Sequence, residues 1–355
     1  MIRPRRPFSS RRGVFPLALV LGCALLVPPP AWASPRPAGQ GSLPELVIQD
    51  DLGRSRRISA SPTRVVVLGG FAAETLCALG LGERIVARSE WVTWPPAAAE
   101  KPSLGSHLQP NLELLAALGP ELVIADPHFY SGIAARMEQI GAPVLFLKGY
   151  DLSDLRPAVL KLGRIFDRTN RAERLVSFAE KHLALVKGRL SGLPRAARPK
   201  AFYGFGKEVF FTYSDKSRHP HLLRLAGGEN VAAGLPAAVS LVSPEWLVAA
   251  DPQVMVLSAR LQNLGFRVAD RPHMAALWQR MAGRPGLRGL ACVRQGRFHI
   301  INSRLVYGPR AAIGLLHLAK WLNPEVFADL SPEKIHAEFL AEFYNLPLSG
   351  AYVYP

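Results

Sequence analysis

The sequence contains no G-x-G-x-x-G fingerprint, no Walker loop and no G-x-S-x-G elbow. These absences remove the usual signs of dinucleotide binding, nucleotide-phosphate cradling and α/β-hydrolase chemistry. Cysteine is scarce: three in 355 residues, with no C-x-x-C, so neither a zinc ribbon nor a thiol-redox motif is written here. Cys77 ("AETLCALG") and Cys292 ("GLACVRQG") lie one in each half, in apolar surroundings, and read as buried free thiols. No apolar run reaches the ~20 residues that span a bilayer. The chain is basic, +16 overall, but Lys and Arg are scattered without aromatic interleaving, which argues against nucleic acid. An anionic ligand or attraction to a membrane surface are the functional readings of that charge.

The start is compositionally separate. "MIRPRRPFSSRRG" carries five Arg and no acid, "VFPLALVLGCALLV" is apolar but short, and Ala31 and Ala33 flank Trp32 in an A-x-A pattern. This reads as a signal peptide over residues 1–33, cleaved after Ala33. "SRRGVF" also resembles a twin-arginine export signal. "VLGC" ending at Cys23 loosely resembles a lipoprotein box, though the apolar run continues past it. Removing the five Arg takes the net charge from +16 to +11. An exported, periplasmic chain with no membrane span of its own is expected.

After a linker and leading hairpin (34–60), apolar β-type runs alternate with short helical patterns to residue 150. A long helical stretch follows over 151–194, the alternation resumes over 195–330, and an amphipathic helical tail occupies 331–355. Such alternation predicts parallel sheets covered on both faces. The chain therefore reads as α/β: two Rossmann-like lobes joined by a long rigid helix, with a ligand cleft between them. One unit is written twice. "NLELLAALGPELVIA" and "SPEWLVAADPQVMVL" each give a helix N-cap residue (Asn111, Ser243), a Glu two positions on (Glu113, Glu245), a Pro turn and a buried strand, 132 residues apart.

Loops that follow strand C-termini are where open α/β sheets bind ligands. Here they are aromatic: "GGF" with Gly70 and Phe71, "SEWVTW" with Trp91 and Trp94, "GSH" with His107, "DPHFY" with Tyr130, "FFTYSDKSRH" with Phe211 and Tyr213, and "SRLVYGPR" with Arg304 and Tyr307. About half of the rings are expected to cap the core instead. "HPH" (His219, His221) reads first as a polar helix start. With His107 and His128 it leaves direct zinc or manganese binding as an alternative, and Asp126 leaves an exported metal-dependent enzyme as another.

The ordered set "SPTRVVVLGGFAAETLCALGLGERIVARS", "LGSHLQPNLELLAALGPELVIA", "LAGGENVAAGLP", "VSPEWLVAADPQVMVLS" and "GRFHIINSRLVYGPR" resembles the periplasmic binding proteins of ABC importers for iron-siderophores, haem and cobalamin. The resemblance runs from about Ser61 to Leu330. It implies capture of a metal chelate, an iron chelate first and haem or cobalamin next, without catalysis or intrinsic cofactor. It implies a monomer that delivers its ligand to a dimeric inner-membrane permease, onto which Glu113 and Glu245 dock. It places ligand contacts at Trp91 and His107, with Phe211 near another such position, and the loops after strands add Gly70, Phe71, Tyr130, Tyr213, Arg260, Arg304 and Tyr307 as candidate contacts. A Tyr (130, 150, 213 or 307) could ligate haem iron, and Arg260, Arg304 or Arg310 could meet anionic siderophore groups. The tail beyond Leu330 departs from the compact cobalamin binders.

Overall fold

Strand β3 (Val65–Leu68) shows how the first lobe is built: Val65 and Val67 pack into one hydrophobic cluster, Val66 and Leu68 into another on the opposite face. Side chains alternate across a strand, so an unbroken apolar run belongs to a sheet buried on both sides. The computed structural model describes residues 44–106, 109–206, 210–259 and 271–355. An antiparallel hairpin, β1 (Glu45–Gln49) and β2 (Ser55–Ser59), leads the chain, with Ile48 and Ile58 turned into the core. Then β3, β4 (Ile85–Arg88), β5 (Leu122–Ala125) and β6 (Val144–Phe146) form a parallel sheet in the order β4-β3-β5-β6.

Two helices, Leu152–Ile165 and Thr169–Leu190, connect this sheet to the next. They approach closely at Gly163, where an added Cβ would fall 2.5 Å from that of Ala172. The second helix has 22 residues, about 33 Å at 1.5 Å each. It begins at Thr169, with Arg168 at the N-cap position.

The second sheet contains β7 (Lys200–Phe205), β8 (Phe211–Tyr213), β9 (Glu229–Asn230), β10 (Val239–Leu241), β11 (Val254–Ala259), β12 (Phe298–Asn302) and β13 (Val353–Tyr354). The order is β10-β8-β7-β11-β12-β13, with β9 beside the start of β7. The β7, β11 and β12 strands are parallel, while β8, β10 and β13 run antiparallel to their neighbours. The alternation in the sequence predicted the parallel part. The β10 and β13 strands were not expected, because two- and three-residue edge strands carry too little pattern to read.

One hydrophobic cluster runs without a break from the first sheet (Val65, Val67, Ile124) through the connecting helices (Leu162, Leu175) to the second sheet (Val254, Val256) and the helix Ala311–Leu322. The tail helix Pro332–Tyr344 buries Phe339, Leu340 and Phe343 in this layer. Tyr344 Oη donates to Glu74 O at 3.2 Å in the first lobe, and β13 then joins the second sheet, so the tail touches both. Cys77 and Cys292 are free and buried, and burial raises their thiols to about 12 and about 11. No helix among the described residues is long and apolar enough to cross a membrane.

Candidate functional site

The C-terminal ends of the parallel strands converge on a cavity of about 370 Å3. From the first sheet come the loop after β3 (Gly69, Gly70, Phe71), that after β4 (Ser89, Trp91), and those after β5 and β6 (Phe129, Tyr130, Gly149, Tyr150). From the second come Phe205 and Gly206 after β7, Tyr213 and His219 around β8, Ser258 of β11, and Ser303, Arg304, Tyr307 and Gly308 after β12. The parallel topology thus turns separate sequence loops into one concave surface.

The rings on this surface touch in series. Trp91 meets Phe129 edge-on at 5.5 Å, Phe129 meets Tyr150 at 6.3 Å, and Tyr150 meets Tyr307 at 5.3 Å. Tyr307 meets His219 at 5.6 Å. His219 lies flat on Tyr213 at 4.0 Å and 4°, and Tyr213 stacks on Phe205 at 4.1 Å. This belt crosses from the first lobe to the second. Such pairs contribute roughly 0.5–1.5 kcal/mol each beyond area burial, which holds the wall in place before any ligand arrives. Phe71 is pinned by Gly149: a Cβ at that position would fall 2.0 Å from the Phe71 ring.

Among the described residues two charged side chains line the cavity, Glu74 and Arg304, with Arg304 Nη1 3.9 Å from Glu74 Oε1. Arg304 Nη2 also donates to Trp91 O at 2.9 Å and Thr93 Oγ1 at 2.6 Å, reaching from the second lobe to the first. His219 is neutral at ordinary pH, its pKa lowered to about 4 by burial and then by the nearby His128 charge. Its Nδ1 lies 2.8 Å from Ser217 Oγ. Burial likewise raises the Tyr130 and Tyr213 phenols to about 12, so the wall is lined by neutral hydroxyls. Asp126 caps the helix at His128 N (2.8 Å). Burial pushes its carboxyl up to about 6, against the opposing pull of the His128 amide, the His128 charge and the Tyr150 hydroxyl.

The cavity brings together Gly70, Phe71, Trp91, Tyr130, Tyr213, Arg304 and Tyr307 from the sequence reading. Phe211 is set back, its ring 5.7 Å from that of Phe205. His107 and Arg260 lie outside the described residues. Arg310 is corrected: it is fully buried and forms a two-pronged pair with Glu74, so it faces no cleft. Trp94 is a core residue beneath the Arg310 guanidinium, 4.8 Å from ring centre to charge. His219 precedes the helix His221–Leu225 instead of starting it. Sequence reasoning missed Phe129, Phe205 and Glu74 as lining residues. Phe129 had a signal in the aromatic loop "DPHFY", and Glu74 as the lone acid in the apolar helix Gly70–Ala78. Among the described residues no group of three or more His, Cys, Asp or Glu side chains could hold a metal ion.

The repeated unit is a structural repeat as well. Asn111 Oδ1 accepts from Leu114 N at 2.8 Å and Ser243 Oγ from Trp246 N at 3.1 Å. The helices Leu112–Ala117 and Pro244–Ala250 lead through Pro120 and Pro252 into β5 and β11. Glu113 and Glu245 are both exposed in their first helical turns. The Glu245 carboxyl is held below its usual range by its own backbone N–H and the Ser243 hydroxyl.

Two α/β sheets joined by packed helices, with one aromatic cavity at the strand ends of both, define a two-lobed ligand-binding protein. The sequence matches the profile of the periplasmic binding protein family over residues 65–305, and the chain belongs to that family, whose members bind substrates and are not enzymes. A vitamin B12-binding protein of Vibrio vulnificus (strain CMCP6) is 28% identical over 252 residues, 67% of this chain and 90% of that protein. The fold is shared with a TroA-like periplasmic binding protein, FepB, from Veillonella parvula (TM-score 0.74, 20% identity, 87% of this chain and 99% of that one). It is shared too with a periplasmic heme-binding protein from Pseudomonas aeruginosa (TM-score 0.60, 24% identity, 74% and 94%).

Proposed function

We propose that this protein is the solute-binding component of an ABC importer and that its ligand is a corrinoid. The observation that carries the choice is the aromatic belt of the cleft, whose rings touch in series from one lobe to the other. Among the described residues its wall is dominated by neutral aromatic rings, with Arg304 held by Trp91 O and Thr93 Oγ1 and sharing Glu74 with the buried Arg310. A large macrocycle edged with amides suits such apolar rings and neutral hydroxyls. The vitamin B12-binding relatives support the same reading. The N-terminal 33 residues serve as the export signal, the mature chain works in the periplasm, and Glu113 and Glu245 engage the permease.

An iron chelate, favoured by sequence alone, is the second reading, and one observation keeps it. His219 is a neutral imidazole beside the Tyr307 phenol, both on the cavity wall, and these are donors suited to an incompletely ligated metal. Titrating the mature chain with cyanocobalamin, haemin and a ferric siderophore, followed by Trp fluorescence, separates the readings. Corrinoid binding at least tenfold tighter than the other two is expected. Tight siderophore or haemin binding with no corrinoid response would overturn the proposal.

A further inference from the structure

The segment between Arg271 and Arg297 carries six Arg and no Asp or Glu. It spans the helices Arg271–Ala282 and Ala291–Arg294 on the outer face of the second sheet, where Met274, Leu277 and Met281 anchor it over Met255 and Leu257. Arg271 is exposed beside the Tyr354 ring (5.9 Å), and Arg297 is half-buried and donates to Trp321 O (3.4 Å). Arg280, Arg288 and Arg294 are exposed and Arg284 is half-buried. Local turns group them: Arg284 N donates to Met281 O (3.1 Å), Arg288 N to Arg284 O (3.3 Å), and the Arg294 guanidinium to Gly289 O beside Arg288.

This turn sits against the proposed docking helix. Gly286 has φ +83°, and a Cβ there would fall 2.3 Å from Pro244 Cβ. Pro285 and Gly286 share an open groove with Pro244, Glu245 and Val248, and Val248 is 51% exposed. The basic face is therefore continuous with the rim that carries Glu245. A permease surface that attracts Glu245 and Glu113 is cationic there and would repel the exposed Arg280, Arg288 and Arg294. The surface that surrounds a permease and complements them is the phosphate layer of the bilayer, which the planar guanidinium fork suits well.

We propose that the Arg280–Arg294 face of the second lobe rests on anionic phospholipid headgroups beside the permease while Glu245 engages the permease itself. The orientation rests on the docking reading; the lipid affinity does not. Each arginine near an anionic surface adds about fivefold to partitioning, so three together are expected to matter by about two orders of magnitude at low salt.

The test is flotation of the mature chain with phosphatidylglycerol-containing vesicles and with pure phosphatidylcholine vesicles, in the absence of permease. Binding to the anionic vesicles only is expected. The triple variant Arg280→Gln, Arg288→Gln, Arg294→Gln should lose at least tenfold, with circular dichroism and ligand affinity unchanged. A control triple elsewhere on the surface, Arg57→Gln, Arg174→Gln, Lys187→Gln, removes the same charge and should lose less than threefold. Equal loss in both triples would reduce the effect to net charge and overturn the proposal, as would equal binding to both vesicle types or to neither. Glu245→Arg, scored by transport, reports on docking and should not weaken binding to the anionic vesicles. Transport unaffected by that reversal would remove the docking reading without touching the vesicle result.

Discussion

Arg310 Nε and Nη2 donate to Glu74 Oε2 and Oε1 at 3.0 and 3.1 Å, a two-pronged ion pair with both residues buried. Glu74 belongs to the first helix of the first lobe, and Arg310 leads into the helix Ala311–Leu322, which packs beside the second sheet. The pair thus ties the lobes through the middle of the continuous core, and Arg304 adds a second tie at the cavity floor. Removing one partner leaves the other charge buried and unpaired, which typically costs about 3–5 kcal/mol, more than the pair itself contributes against an apolar replacement. Glu74→Gln or Arg310→Met should therefore lower thermal stability more than the double change Glu74→Leu, Arg310→Met. Thermal unfolding of the four proteins checks this. A double variant as unstable as the sum of the singles would mean the two side chains act independently.

Gly149 sets the position of Phe71. Alanine there would drive the Phe71 ring away from its seat, and the open direction is the cavity. Overpacking of this kind costs about 1–3 kcal/mol in stability. Ligand affinity should fall at least tenfold, while Phe71→Ala in the same background restores part of it. Unchanged affinity in Gly149→Ala would place Phe71 outside the binding surface.

Much of this geometry was legible in the sequence. The parallel strands are long apolar runs, buried on both faces, so β3, β5 and β11 could be read directly, and the loops after them predicted the cavity. The edge strands β10 and β13 could not be read, since pairing with a neighbour decides a strand of two or three residues. Within the loops, sequence did not separate Trp91, which lines the cavity, from Trp94, which lies under Arg310. The two are three residues apart in one loop, and only the long-range partner Arg310 distinguishes them. His219 was obscured for the same reason: its stacking partner Tyr213 comes from a different element.

Acid should loosen the tail. His299, His317 and His336 are buried where the helix Ala311–Leu322, the tail helix and the C-terminus meet. Burial comes first in lowering all three pKa values, to about 4 for His299 and His317 and well below the usual range for His336. Arg297 and His317 face His299, Lys320 and Glu333 face His317, and Arg310 and His317 face His336. The unfolded chain takes up these protons near pH 6.5 and the folded chain only near pH 4. Stability is therefore full above pH 6.5 and falls as pH drops toward 4, by about 1.4 kcal/mol per unit for each histidine. Thermal unfolding between pH 7.5 and 4.5 should show this slope, and His336→Phe should flatten it. Equal slopes in wild type and variant would exclude His336 as a contributor.

Charge reversal tests the repeated unit. Glu113→Arg or Glu245→Arg should sharply reduce ligand transport in membrane vesicles carrying the permease, while affinity of the isolated protein stays within about twofold, because both carboxylates are exposed and outside the cavity. Wild-type transport by both single variants would leave the unit as a folding motif.

The most direct measurement is the absorption spectrum and native mass of the protein purified from its own periplasm with ligand still bound. The aromatic cleft is expected to yield a corrin spectrum and a mass increment of one corrinoid per chain, both lost when Trp91 and Tyr213 are replaced by alanine. A Soret band, or a broad charge-transfer band with a siderophore's mass, would contradict the corrinoid assignment and return the cleft to haem or to an iron chelate.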